Sequence, residues 1–192
     1  MWEGEFAGKL LELLTEIAPT VKRAAIVFNP DTAPGRGLYY LPSFETAARS
    51  FRLEAIAAPV RNNAEIEAIV AAIGREKGGG LVAMPDGFTL VRRATIILQA
   101  ARNKVPAVYW NSIIARDGGL LSYGPDTGDI FRRAASYFDR ILRGAKPAEL
   151  SVQLPTKFQM AVNLQTAKAL GLAIPEIARW TPIIKAANIK GE

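Results

Sequence analysis

Two absences set the chemistry open to this chain: it holds no His and no Cys. Without imidazole there is no base of the usual kind for a serine nucleophile, and no imidazole metal ligand. Without thiolate there is no cysteine nucleophile, zinc cluster, iron–sulfur site or disulfide. Carboxylate, Lys, Tyr and Ser chemistry remains. Ser122, in Leu121-Ser122-Tyr123-Gly124, is not on a nucleophile elbow, because Leu120 stands where that turn needs Gly. Glu65 and Glu67 fall on different sides of a helix. Asp126 and Asp129 lie one turn apart at a helix start, where acids belong in any case. No carboxylate pair is spaced for a metal or for acid–base work, so binding without catalysis and without a cofactor is the expectation.

Three loops hold residues suited to binding. Asn29 to Gly37 joins a strand to a helix, where backbone N–H groups can meet an anion. It lacks both the G-x-G-x-x-G spacing and a P-loop Lys-Ser/Thr pair, so plain loop and phosphate cradle both stay open. In Pro85-Asp86-Gly87-Phe88 a lone carboxylate follows a strand; it can form the turn and cap a helix, or pair with a ligand ammonium. Trp110-Asn111 follows the next strand and supplies either core-rim packing or a stacking wall. Lys77-Gly78-Gly79-Gly80 looks like a phosphate loop but precedes its strand, which makes it a turn.

The elements that must position these loops alternate along the chain. Lys9 to Ala18 is an amphipathic helix, with Leu10, Leu13, Leu14 and Ile17 at helical spacing and Pro19 beyond its end. Ala24 to Phe28, Leu53 to Ala58, Gly80 to Met84 and Val105 to Tyr109 read as strands buried in a parallel sheet. Helices are predicted from Leu38 to Phe51, from Asn62-Asn63 through Ile73, and from Leu90 to Arg102. Strands alternating with helices predict an α/β fold with an open, mostly parallel sheet, whose ligands sit beyond the carboxyl ends of the strands. From Gly118 the rhythm changes. Gly118 to Gly124 is a short strand, Asp126 caps a helix through Ile141, Pro155 to Val162 is another strand, and Leu164 to Leu170 a short helix.

Composition agrees with a globular chain of 192 residues, 49% apolar and 22% charged. That length suits one domain, or one lobe and part of another. There is no apolar run of about 18 residues of the kind that spans a membrane. Met1 to Phe6 is acidic and does not read as a secretory signal. The net charge of +6 resides in residues 131–192, with 10 basic and 4 acidic side chains, whereas residues 1–130 balance at 14 of each. These cations are scattered singly, without interleaved aromatics, so no nucleic-acid partner is expected.

Two long stretches resemble a known family. One is Gly118-Gly119-Leu120-Leu121-Ser122-Tyr123-Gly124-Pro125-Asp126, followed by Tyr137 to Leu150; the other is Leu154-Pro155-Thr156-Lys157-Phe158-Gln159-Met160-Ala161-Val162-Asn163-Leu164, running on to Ile174-Pro175. With the Lys9 helix and Ala25-Ile26-Val27-Phe28-Asn29-Pro30, they are similar to the substrate-binding components of ABC transporters of the tryptophan/tyrosine-uptake type. The resemblance covers about Gly8 to Pro175.

It implies a fold of two α/β lobes that close on a small ligand like a hinge. Residues 1–20 would be a linker helix and 21–118 the ligand-binding lobe. Residues 119–175 would be a crossing segment that returns to the first lobe and completes its sheet, and 176–192 a divergent tail. Ligand contacts are then expected from Asn29, Pro30, Asp86, Gly87, Phe88 and Trp110, with Ser122, Tyr123 and Gly124 lining the crossing. Asp86 would hold an α-ammonium, and Phe88 or Trp110 an apolar or aromatic side chain. The implied ligand is amino-acid-like, and the implied partner is an ABC permease when the protein is complete.

The family's first lobe has no counterpart ahead of the Lys9 helix in these residues. A fragment, an engineered piece, a mis-started gene or a decayed paralogue is therefore expected, with a homodimer formed through the incomplete lobe. The resemblance implies a periplasmic or membrane-anchored extracytoplasmic location; as a full gene product without a signal, the chain would be cytoplasmic. Two other readings stand beside this one: an α/β enzyme acting on a phosphorylated or nucleotide substrate, and an interaction module without a small ligand.

Overall fold

The computed structural model describes residues 3–174. The predicted divergent tail, 176–192, lies outside the described residues. Eight α-helices and six strands are found among those described: α1 Glu3–Ile17, β1 Arg23–Phe28, α2 Leu41–Ser50, β2 Glu54–Pro59, α3 Asn63–Arg75, β3 Gly79–Ala83, α4 Gly87–Val91, α5 Arg93–Arg102, β4 Ala107–Tyr109, α6 Ser112–Arg116, β5 Leu121–Pro125, α7 Thr127–Leu142, β6 Phe158–Val162 and α8 Leu164–Ala169. Local signals set most of the starts. The side chains of Asn62, Asp86, Asn111, Asp126 and Asn163 each cap the helix that follows by accepting from a backbone N–H of its first turn.

One sheet runs in the order β2-β1-β3-β4-β5-β6. The first five strands are parallel, and β6 lies antiparallel on β5 with Tyr123 opposite Met160. Alternation along the strands splits the core into two layers. Ala24, Ile26 and Phe28 pack with Leu10, Leu13, Leu14 and Ile17 of α1 and Phe44 of α2. Ala25 and Val27 face the other way, against Ile66, Val70 and Ile73 of α3 and Ile96 of α5. The expected mostly parallel α/β sheet is therefore present.

The part expected to return to another lobe differs from the reading. β5 and β6 continue the same sheet instead of completing a second one. What leaves the layers is α7 and the chain up to Lys157. Its helix keeps Phe131, Phe138 and Leu142 exposed at 71%, 67% and 87%. β5 stays because its ladder partner is β4: Val108 aligns with Leu121 and Tyr109 with Ser122. A helix this apolar on one side, packed on neither layer, presents a face for association.

Candidate functional site

The strand order reverses at β1: α2 lies on one face of the sheet, whereas α3, α5 and α6 lie on the other. Such a switch point opens a crevice between the carboxyl ends of the two strands that flank it, here β1 and β3. Asn29 follows β1 and Asp86 follows β3, and the Asn29 backbone N–H donates to Asp86 Oδ2 at 2.8 Å. Asp86 Oδ1 accepts from the Phe88 N–H at 3.0 Å and from the Thr32 hydroxyl. The carboxylate is 5% exposed, joins the two loops and caps α4. Three donors from its own chain take most of its acceptor capacity.

Trp110 and Phe88 flank this junction, both half-buried. The Trp110 indole N–H donates to Thr89 Oγ1 at 3.4 Å, and the Thr89 hydroxyl in turn shares its one proton between the Met84 and Asp86 carbonyls. Arg92 lies over the Phe88 ring, 6.0 Å from its centroid. Gly87 is exposed, and a Cβ there would meet nothing within 4 Å. Pro30 is buried beneath the first loop. Asn29, Pro30, Asp86, Gly87, Phe88 and Trp110 thus gather on the carboxyl edge of neighbouring strands.

The loop after β1 is not an open cradle. The N–H groups of Asn29, Asp31, Thr32, Ala33 and Arg36 all donate within the chain, four of them inside the loop itself. Gly37, at φ +90°, presses its Cα against the Phe28 ring, where any Cβ would fall 2.2 Å from a ring carbon. The glycines of Lys77-Gly78-Gly79-Gly80 likewise answer to packing: a Cβ on Gly79 would stand 2.2 Å from the Ile73 carbonyl oxygen.

Ser122, Tyr123 and Gly124 are inside the sheet and do not line an open crossing. Ser122 is fully buried, beside Tyr109 in the ladder, and its hydroxyl has no hydrogen-bond partner among the described residues. Tyr123 is stacked between Phe6 and Phe158 at centroid distances of 5.9 and 5.5 Å. Burial and the nearby Glu12 carboxylate push its hydroxyl up to about 12. Gly124 is required by backbone approach, since a Cβ would lie 1.7 Å from the Trp110 carbonyl oxygen. A five-residue antiparallel ladder with β6 puts all three in the interior.

Several residues at the edge carry no signal in the sequence. Thr32 and Thr89 hold the Asp86 and Trp110 side chains, over separations of 54 and 21 residues. Beyond Trp110 the edge opens into a cleft of about 520 Å³, with Asn111, Ser112, Asp126 and Gln159 among its walls. The Ser112 hydroxyl donates to Gln159 Oε1 at 3.3 Å and so ties α6 to β6. Asn111 and Asp126 are recognisable as helix caps, but nothing in the sequence places them on one wall.

A mostly parallel sheet in the order β2-β1-β3-β4-β5-β6, with helices on both faces and polar loops gathered at its switch point, is a lobe of the periplasmic-binding-protein type. Solved structures carry the same fold. A conserved domain protein from Vibrio cholerae superposes with a TM-score of 0.79 at 24% identity, over 90% of this chain and 57% of that one. The ABC domain from Streptococcus pneumoniae in complex with L-Trp gives 0.77 at 21%, over 95% and 61%. A solute binding protein from Agrobacterium vitis with bound allitol gives 0.58 at 14%, over 86% and 62%. This chain therefore spans about three fifths of the length of these structures. No curated protein matches its sequence. The family described as ABC transporter substrate binding protein matches residues 4–182, and the chain belongs to that family.

Proposed function

We propose that the chain is the ligand-gripping lobe of an ABC importer's substrate-binding protein, and that it holds a small amino-acid-like ligand without any covalent step. The observation that carries this reading is the junction at the switch point. A buried carboxylate, Asp86, is held rigidly between two strand-end loops, beside the half-buried rings of Phe88 and Trp110. Two of its four lone-pair sites lie on Oδ2, and Asn29 N–H occupies one. The other can accept from an ammonium, while the rings pack an apolar side chain. Gly87 leaves its backbone open to close approach.

The exposed apolar stripe of α7 fits a role in pairing this lobe with another. In the full protein that would be the first lobe; in these 192 residues by themselves, a second copy is the partner. Transport further requires a permease, and a location outside the cytoplasmic membrane follows from the same reading. The L-Trp bound by the Streptococcus pneumoniae protein supports an amino-acid-like ligand, and the allitol bound by the Agrobacterium vitis protein names the competing class.

Titration calorimetry with the first lobe supplied should separate the two. Binding of an aromatic or branched amino acid, lost in Trp110→Ala, is the expected result. Binding of polyols alone, or amino-acid binding indifferent to Trp110→Ala and Asp86→Asn alike, would overturn the assignment.

A further inference from the structure

A second cleft lies on the amino edge of the sheet, at the opposite end of the strands from the switch point. Four pieces of chain close around it: the turn before β1, the end of α3 with the turn into β3, the turn between α5 and β4, and the chain after α8. Its volume is about 610 Å³, in the range of small-molecule sites. Lys22, Arg75, Lys77 and Lys104 stand in its walls, and Val21 and Val105 supply apolar surface. Among the described residues no carboxylate pairs with any of the four cations. Among the described residues Glu76 is the one acid in the wall, and Arg23 already holds it at 2.7 Å.

The ordinary explanation for such cations is the helix dipole, because α3 and α5 both end at this edge. Each helix end offers only about half a negative charge, so the two together offset about one of the four positive charges. Close to three positive charges remain in the walls of one cleft, without a carboxylate partner among the described residues. A monocarboxylate or a zwitterionic amino acid would leave most of that excess in place. A phosphate or diphosphate group, with two to three negative charges, would neutralise it through charge-assisted hydrogen bonds.

We propose that this amino-edge cleft is a site for a phosphate-bearing anion, distinct from the crevice at the switch point. The group reaches it either on a soluble molecule or as the headgroup of an anionic lipid.

The test uses the full chain with pyrophosphate as the soluble probe, and phosphatidylglycerol vesicles as the lipid one. Calorimetry at low salt should give a submillimolar Kd for pyrophosphate, weakened about tenfold or more in Lys22→Gln/Lys77→Gln. Both side chains are exposed, Lys77 in the turn before β3 and Lys22 just ahead of β1, so the melting temperature without ligand should stay unchanged. Co-sedimentation with vesicles but no heat from pyrophosphate would assign the phosphate to a lipid; the reverse would assign it to a soluble molecule. Absence of both, or an affinity unaltered in the double variant, overturns the proposal. Amino-acid binding at the opposite edge should not respond to these two substitutions, so the two sites fail independently.

Discussion

Lys157 Nζ lies 2.9 Å from Asp129 Oδ1 and so pins the first turn of α7 to the chain that returns into β6. The Asp126 N–H donates to the Lys157 carbonyl at 2.9 Å in the same place, and Arg132 approaches Asp129 at 3.2 Å. Further out, Arg133 donates to the Leu154 carbonyl, to Thr156 and to Gln153, and Tyr137 donates to the Ser151 carbonyl. The arm formed by α7 and the returning chain is thus held together by polar bonds, although no hydrophobic layer supports it.

The Lys157 ammonium holds the Asp129 carboxyl below the usual carboxylate range, despite an opposing push from burial. Its contribution to stability is therefore present above the ordinary carboxylate pKa and is lost as pH falls through the lowered folded value. Acid unfolding of Asp129→Asn should show a shallower loss on that limb than the parent chain, with the neutral-pH stability already reduced. Identical acid limbs would deny the pin its role.

Tyr123 gives the mirror case at alkaline pH. Its hydroxyl is raised to about 12, first by burial and then by Glu12, so the unfolded chain ionises first. Stability should fall as pH rises from the ordinary tyrosine value toward 12, and Tyr123→Phe should remove part of that fall. Urea midpoints taken along this range provide the measurement.

Glycine substitutions should divide sharply. Gly124→Ala sets a Cβ 1.7 Å from the Trp110 carbonyl oxygen, backbone that cannot yield without parting β4 from β5. A loss of about 3 kcal/mol or more is expected from urea denaturation. Gly87→Ala meets open space at the start of α4 and should be neutral, or stabilising by a few tenths of a kcal/mol. If a ligand lies over Gly87 as proposed, this second variant should nonetheless bind it more weakly.

Asp86→Ala should cost about 2–4 kcal/mol, because Asn29 N–H, the Thr32 hydroxyl and Phe88 N–H all lose their acceptor and α4 loses its cap. Thermal unfolding without ligand measures this. A cost near zero would mean that the two loops are not held by this carboxylate.

The exposed Phe131, Phe138 and Leu142 should drive self-association of these 192 residues. Sedimentation velocity should show a dimer at high concentration, and Phe131→Ser/Phe138→Ser should shift it to monomer. A strict monomer in the parent chain would contradict the expectation.

Much of this is legible in the sequence, and the reason is range. Periodicity and caps act within a few residues, so Leu10 to Ile17, Ala24 to Phe28 and the cap at Asp126 announce themselves. The two missing residue types excluded whole classes of chemistry in the same direct way. The layered α/β sheet followed from alternation, and the family from motifs spread along the chain.

Tertiary structure alone decided what depends on contacts between distant segments. Asn29 meets Asp86 across 57 residues because β1 and β3 are neighbours, which no local pattern states. Ser122 and Tyr123 read as a crossing but are buried, because β6 returns antiparallel and covers them. α6 carries no periodic signal in the sequence: it has only five residues, and its burial against β4, β5 and β6 comes from the sheet. The sequence alone determined the kind of lobe and the chemistry it lacks. The sheet order decided which of its polar side chains bind to one another and which remain at the edge.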